Sequence, residues 1–243
     1  MNLYPVIILA GGLATRLRPV TEEIPKALVQ VGNQPFIAQQ LKLLRSHGFR
    51  RVLISAWYKG EMIRAVVGDG KDFDLDVEYV FDGEAPLGTA GAVRRALAVL
   101  DGPFFVLYGD SYLPCNYQDI QAFFDPRNQL GLMTVFRNAG RWDTSNVELQ
   151  DGVIVRYDKT DRTPGMRHID YGLGLFRPAA FAHLREGQRV DLAQIYQKLL
   201  HDRQLLAYEV AQRFYEVGSV DGIDELDRLL TNDPEQFLWK AAQ

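Results

Sequence analysis

Three short groups of residues have the types and spacing for chemistry. The first is Gly11, Gly12, Thr15, Arg16, Arg18 and Lys26, which follow an apolar run from Val6 to Ala10. Glycines tolerate positive φ and let backbone N–H groups close on an anion. Arginine and lysine then neutralise its charge. A buried strand ending this way is a phosphate site in outline, with Leu9, Ala10, Gly11, Gly12 and Thr15 as its backbone side. Arg18 reads equally well as a surface charge. The second group is Asp110, behind the apolar run from Pro103 to Gly109. A carboxylate at the C-terminal end of a strand is well placed to hold Mg²⁺, which takes one or two carboxylates plus phosphate oxygens and waters. A helix-capping Asp would give the same local pattern. The third is Leu87-Gly88-Thr89-Ala90-Gly91, small residues opening a helix whose free N–H groups suit a nucleotide at Gly88 and Thr89. Tight packing is the alternative. Glu84, just before it, either accepts from guanine N1–H and N2–H₂, favouring GTP over UTP, or is an exposed loop charge. Two standard phosphate loops, G-x-x-x-x-G-K-[ST] and G-x-G-x-x-G, are absent.

The elements that must position these groups alternate. After the glycine loop, Gln34-Pro35 opens a helix with Ile37, Leu41 and Leu44 on one face, closed by Gly48. Arg51 to Ala56 reads as a strand, Met62 to Val67 as a short helix, and Val77, Tyr79 and Phe81 as an alternating strand. Gly88 to Leu100 is a helix and Pro103 to Gly109 a fully apolar strand. This order predicts an α/β fold of Rossmann-like kind, an α/β/α sandwich around a mixed, mainly parallel sheet. Ligands in such sheets sit beyond the carboxyl ends of the strands, where Gly11, Gly88 and Asp110 fall. In the second half, a helix is expected from Gln118 to Phe124 and a strand from Gly131 to Arg137. A hairpin turns at Asp151-Gly152. Ile169 to Phe176 is a strand, and Pro178 to Leu184 and Leu192 to His201 are helices. A strand ends at Glu216-Val217-Gly218. C-terminal helices follow on Ile223, Leu226, Leu229 and Leu230, then Phe237 and Leu238. Asp161 to Arg167 is the best candidate for a mobile loop. The 243 residues read as one domain, residues 1–115 forming a nucleotide half and 116–243 an acceptor half.

Composition narrows the class. A formal net charge of −4 argues against a nucleic-acid surface, so any phosphate site is local. The one cysteine, Cys115, excludes an intrachain disulfide framework and fits a reducing compartment. Neither a signal peptide nor the run of about 18 apolar residues that a span requires is visible, so the expectation is a cytoplasmic protein without a membrane partner. Oligomeric state leaves no signal.

The run G-G-x-x-T-R-L-x-P from Gly11 to Pro19, with Pro25-Lys26-Ala27-Leu28 behind it, resembles the signature of the sugar-1-phosphate nucleotidyltransferases. That family has Gly where this chain has Ala14, and Pro where it has Ala27. The resemblance implies attack of a sugar-1-phosphate oxygen on the α-phosphorus of an NTP, with pyrophosphate leaving and Mg²⁺ as cofactor. It implies Arg16 and Lys26 as the cations on the triphosphate, Asp110 as catalytic metal ligand, and the Gly88 element beside base and ribose. The family's late W-x-D-x-G element corresponds to Phe214-Tyr215-Glu216-Val217-Gly218, making Glu216 the second metal ligand with Glu in place of Asp. Asp158-Lys159 resembles its E-K pair, so Lys159 is expected on the sugar phosphate. Asn146, Asp170, Tyr171 and Gly172 are candidates for the sugar pocket or for strand-end structure. Within the family the chain is most like the D-glycero-α-D-manno-heptose 1-phosphate guanylyltransferases, which implies GTP and nucleotide-sugar supply to surface polysaccharide. Mannose-1-phosphate guanylyltransferases and N-acetylmuramate-1-phosphate uridylyltransferases are neighbours. A sensor that binds sugar nucleotide without turnover is the reading from another class.

Overall fold

The computed structural model describes residues 2–12, 17 and 20–239; Thr15, Arg16, Arg18 and Pro19 of the expected phosphate loop lie outside them. In chain order the elements are β1 (Val6–Leu9), α1 (Val20–Glu23), β2 (Gln30–Val31), β3 (Gln34–Pro35), α2 (Phe36–Ser46), β4 (Arg51–Ala56), α3 (Gly60–Val67), β5 (Asp76–Phe81), α4 (Gly88–Ala96), β6 (Phe104–Tyr108), β7 (Ser111–Tyr112) and α5 (Tyr117–Phe124). They continue with β8 (Gly131–Phe136), β9 (Val147–Gln150), β10 (Val153–Tyr157), β11 (Ile169–Phe176), α6 (Leu192–His201), β12 (Leu205–Val210), β13 (Tyr215–Glu216) and α7 (Val220–Asn232).

The central sheet has seven strands in the order β12-β8-β11-β6-β1-β4-β5. β6, β1, β4 and β5 are mutually parallel, and β12 is parallel to β8. β11 alone is antiparallel to both its neighbours, β6 and β8. The other six strands therefore share a direction, and their carboxyl ends line one edge. Alternation along β1 sends Val6 and Ile8 into one core and Ile7 into the other, so both sheet faces are covered. Helix α2 packs Ile37, Leu41 and Leu44 at 0% exposure on the first face; α4 and α6 cover the second with Val93, Ile195 and Tyr196. This is the expected α/β/α sandwich. A smaller core around Val31, Tyr112, Val217, Leu226 and Leu230 ties α7 to β2, β7 and β13.

Several local expectations shift. Gln34-Pro35 leads into α2 with Pro35 as its N-cap rather than its first helical residue, and it also pairs with Gln30-Val31 across Gly32 and Asn33, both with positive φ. Helix α4 stops at Ala96 because the next amides, of Ala98 and Val99, bond back three residues to Arg95 and Ala96. Pro178 to Leu184 is only a 3₁₀ turn over Pro178–Phe181. Phe237 and Leu238 lie in turns after Pro234. The edge strand β12 has no counterpart in the sequence reading. The hairpin turn has positive φ at both Asp151 (49°) and Gly152 (76°), as a two-residue turn of that sequence requires.

Candidate active site

Strands β1 and β6 come together at their carboxyl ends through a glycine. Gly109 N donates to Leu9 O at 3.1 Å. A Cβ at Gly109 would stand 2.8 Å from the Leu9 carbonyl carbon, so any side chain there would push the two strands apart. Past that point Ala10 N is tied to Ser55 O at 2.7 Å. The amides of Gly11 and Gly12 meet no acceptor among the described residues. Both glycines line a cavity of about 380 Å³ whose wall also includes Leu9, Ala10, Lys26, Asp82, Gly88, Thr89 and Asp110.

Asp110 is held from several directions. Its carbonyl accepts Val217 N at 2.9 Å, and Tyr215-Glu216 pairs antiparallel with Ser111-Tyr112. Residues far apart in sequence, Asp110 and Glu216, are thereby fixed on adjoining backbones. The buried amide of Gln40 clamps the same corner, donating to Ser111 O at 2.8 Å and Tyr108 O at 3.4 Å. Lys26 Nζ donates to Asp110 Oδ2 at 3.0 Å. A Cβ at Gly218 would come within 3.3 Å of Glu216 Oε1, so this glycine leaves that carboxylate its room. Among the described residues no cluster of three or more His, Cys, Asp or Glu is spaced for a metal. Two carboxylates on adjoining backbones are nonetheless the hard-oxygen set that Mg²⁺ takes when phosphate oxygens and waters complete its shell. In chemical type these two side chains suit that ion, and of the two only Asp110 lines the cavity.

The other end of the cavity corrects two expectations. Glu84 is exposed and does not line it. Asp82, the residue that follows β5, does. Its Oδ2 accepts Leu87 N at 2.9 Å, while its buried Oδ1 has no partner. Burial pushes this carboxyl above the usual carboxylate range, against the Leu87 N–H and Arg95, which lower it. Nor is the start of α4 free. Val190 O accepts Ala90 N at 2.9 Å and Gly91 N at 3.3 Å, and Thr89 Oγ1 accepts Leu192 N at 2.6 Å. Gly88, at φ 71°, lies so close to Val190 that a Cβ would stand 2.6 Å from its oxygen. The loop before α6 caps α4, and Gly88 and Thr89 present what remains to the cavity.

The acceptor-side candidates gather around β11. Asp170 accepts hydrogen bonds from the hydroxyls of Tyr108 and Tyr157 at 3.3 Å each, and from Gly172 N at 3.1 Å. Asn146 Oδ1 accepts Asp170 N at 2.9 Å. Burial raises the Asp170 carboxyl, opposed by nearby Lys159. Lys159 Nζ lies 5.6 Å from the centre of the Tyr108 ring, which itself lines the cavity, and 3.8 Å from Asp191 Oδ1. Gly172 carries φ 93° where the register of β11 breaks, and a Cβ there would meet Ser111 Oγ at 3.0 Å. Tyr171 is the exception. It is 2% exposed and packs its ring against Phe136 and Phe214 in the core, so it does not belong to a sugar pocket.

Asp82, Trp57, Tyr108 and Arg189 line the cavity without having been singled out in the sequence. Asp82 was within reach: it stands behind β5 as Asp110 stands behind β6, an acid just past a strand's carboxyl end. Arg189 carries no such signal, since only the capping of α4 by Val190 brings it here.

Residues 5–157 match the family described as Nucleotidyl transferase. The chain is 26% identical to a mannose-1-phosphate guanyltransferase of Schizosaccharomyces pombe, over 87% of this chain and 60% of that protein. It is 27% identical to the low-salt glycan biosynthesis nucleotidyltransferase Agl11 of Haloferax volcanii, over 93% of this chain and 66% of that one. It thus spans under two thirds of the length of either relative. Two solved structures share the fold. A putative glucose-1-phosphate thymidylyltransferase from Bacillus anthracis has a TM-score of 0.83 at 19% identity, covering 94% of this chain and 96% of that one. HddC from Yersinia pseudotuberculosis, complexed with GMP-PN, has a TM-score of 0.78 at 22% identity, covering 94% and 100%.

Proposed function

Because the chain belongs to the Nucleotidyl transferase family, we propose that it is a sugar-1-phosphate nucleotidyltransferase and that the cavity between Gly11 and Asp110 is its active site. An oxygen of the sugar 1-phosphate attacks the α-phosphorus of an NTP, the bond from that phosphorus to the bridging oxygen breaks, and pyrophosphate leaves with the bond's electron pair. Such transfer depends on positioning and on cancelling charge. The observation that carries the reading is the ion pair of Lys26 with Asp110 in the wall of the same cavity as Gly11 and Gly12, whose amides meet no acceptor among the described residues. The amides and Lys26 hold the triphosphate and neutralise the leaving pyrophosphate, with Arg16 assigned to the same task from the sequence. Asp110 and Glu216 would hold Mg²⁺, which supplies further charge cancellation. Lys159, above the Tyr108 ring, is the cation for the acceptor's phosphate.

The preferred base is guanine. A buried carboxylate oxygen without a donor, at the end of the cavity away from Lys26, suits the N1–H and N2–H₂ edge that guanine offers and cytosine lacks. Asp82 takes the part first assigned to Glu84. The sequence resemblance points to a D-glycero-α-D-manno-heptose phosphate, and the guanyltransferase relatives are named for mannose. Both sugars carry the manno ring, so the acceptor is proposed as a manno-configured sugar 1-phosphate. The experiment is pyrophosphate release with Mg²⁺, crossing GTP, UTP, CTP, ATP and dTTP with mannose, manno-heptose, glucose and N-acetylmuramate 1-phosphates. Release with GTP and a manno acceptor is expected. Release with another pair corrects base or sugar, and none with any pair removes the transferase reading.

A further inference from the structure

A second cavity, of about 710 Å³, lies between the segment after β8 and the loop that follows β10. Four arginines line it, Arg137 and Arg141 from the first segment and Arg162 and Arg167 from the second. One carboxylate, Asp143, shares the wall. Its Oδ1 is already engaged by the amide of Thr144 at 2.6 Å. The guanidinium groups of Arg137, Arg141 and Arg167 meet no carboxylate at ion-pair distance among the described residues, and that of Arg162 reaches only Lys159 O, at 3.4 Å. In a chain of net charge −4, this is a local excess of one sign.

The two walls are built rather than loose. Asn138, at 0% exposure, staples the first loop: its amide donates to Ser145 Oγ at 3.2 Å and to Asp143 O, and its carbonyl accepts Trp142 N at 3.1 Å. The Trp142 ring is backed by the Arg213 guanidinium at 3.5 Å, which Glu225 holds with both oxygens at 2.6 Å. In the second loop, Met166 is 6% exposed and Thr163 Oγ1 donates to Glu148 Oε2 at 3.3 Å. Guanidiniums present forked N–H donors that match the paired oxygens of carboxylate and phosphate. Four exposed guanidiniums on anchored loops, lining one hollow and ion-paired with no carboxylate among the described residues, offer such donors to an anion.

We propose that this second cavity binds a phosphate or carboxylate group other than those handled between Gly11 and Asp110. Two sources supply that chemistry: a second anionic group borne by the acceptor, or a separate small anion. The binding claim does not rest on the reaction assigned to the first cavity.

The test is ¹⁹F NMR of the protein labelled with 5-fluorotryptophan, which gives one probe in each cavity, Trp57 in the first and Trp142 in the second. Trp142→Phe assigns the second signal. Inorganic phosphate, titrated against chloride at equal ionic strength, is expected to shift the Trp142 signal saturably. Arg141→Ala/Arg167→Ala should raise the half-saturating concentration tenfold or more and leave the Trp57 titration unchanged, which also shows that the variant is folded. A non-saturating shift, or equal half-saturation in the variant, overturns the proposal. Kinetics then separate the sources. A lower KM for mannose 1,6-bisphosphate than for mannose 1-phosphate, lost in the variant, identifies the acceptor's own group. A phosphate-dependent change in kcat or KM, absent from the variant, identifies a separate anion.

Discussion

The two flanks of β6 treat a buried acid in opposite ways. On the β1 side, Asp82, a residue of the cavity wall, spends one oxygen on Leu87 N and leaves the other buried without a partner. On the β11 side, Asp170 spends both, on two tyrosine hydroxyls and one amide. Burial raises both carboxyls. A buried polar atom without a partner is costly and rare in folded proteins, and on the proposed reading a ligand completes its bonding. The satisfied acid marks scaffold: it fixes the tyrosine ring over which Lys159 lies. The Asp82 flank, proposed for the nucleotide, is unfinished, and the Asp170 flank, proposed for the acceptor, is largely braced.

The largest effects are expected where the unfinished flank meets the transferred charge. Lys26→Ala and Asp110→Ala should each lower turnover by about 100-fold or more, because both act on charge that develops during transfer. Their ion pair is partly exposed, with side chains 17% and 37% accessible, so melting temperature should scarcely move. Pyrophosphate release and thermal melts on the same preparations check both halves of this. Near-normal turnover in Asp110→Ala would remove Asp110 from the site and with it the metal assignment. If the two residues act as a unit, the double variant loses little more than either single one.

Asp82→Asn comes next and separates function from stability. The Asn carbonyl still accepts from Leu87 N, but an amide donor now points where guanine offers N–H groups. The kcat/KM for GTP should fall about tenfold to a hundredfold, the worth of a hydrogen bond to a charged acceptor. Stability should move the other way. The folded carboxyl ionises at a higher pH than it does in the unfolded chain. Just above the unfolded value, near pH 4, the native state therefore binds more protons, and stability declines as pH rises through the raised native value. Thermal melts from pH 4 to 8 should show this decline in the wild type and a smaller one in Asp82→Asn. A variant that keeps its GTP kinetics would return Asp82 to the status of a loop cap.

The same contrast explains what the sequence disclosed. The flank proposed for the nucleotide is built from local signals: apolar runs that stop at Gly-Gly or at Gly-Asp, and a helix that opens on Gly-Thr. The acceptor flank depends on returns of the chain. Tyr108 and Tyr157 reach Asp170 only because β11 runs antiparallel beside β6 and breaks register at Gly172. Tyr171 looked like its neighbours Asp170 and Gly172, yet it falls on the core side of the strand. Strand β12 was hidden because Leu205–Val210 follows the leucines of α6 across a short turn at Arg203, φ 56°, and Leu-Leu-Ala-Tyr-Glu-Val has no strict alternation to declare a strand. The arginines of the second cavity are scattered over two loops and converge only once the β9–β10 hairpin has folded.

The smallest effect tests the braced flank. Tyr157→Phe removes one of the three donors to Asp170 and leaves Tyr108 and Gly172 in place. The ring keeps its edge-on contact with Tyr196, 5.7 Å between centroids, so packing is preserved. Losing one hydrogen bond to a buried carboxylate should destabilise the fold by about 1 to 3 kcal/mol, read from urea denaturation. The kcat/KM for both substrates should stay within about threefold, since nothing that touches them has changed. A tenfold rise in KM for the sugar phosphate, without loss of stability, would make Tyr157 and Asp170 part of the acceptor site. The two flanks would then be alike, each holding an acid that waits for its substrate.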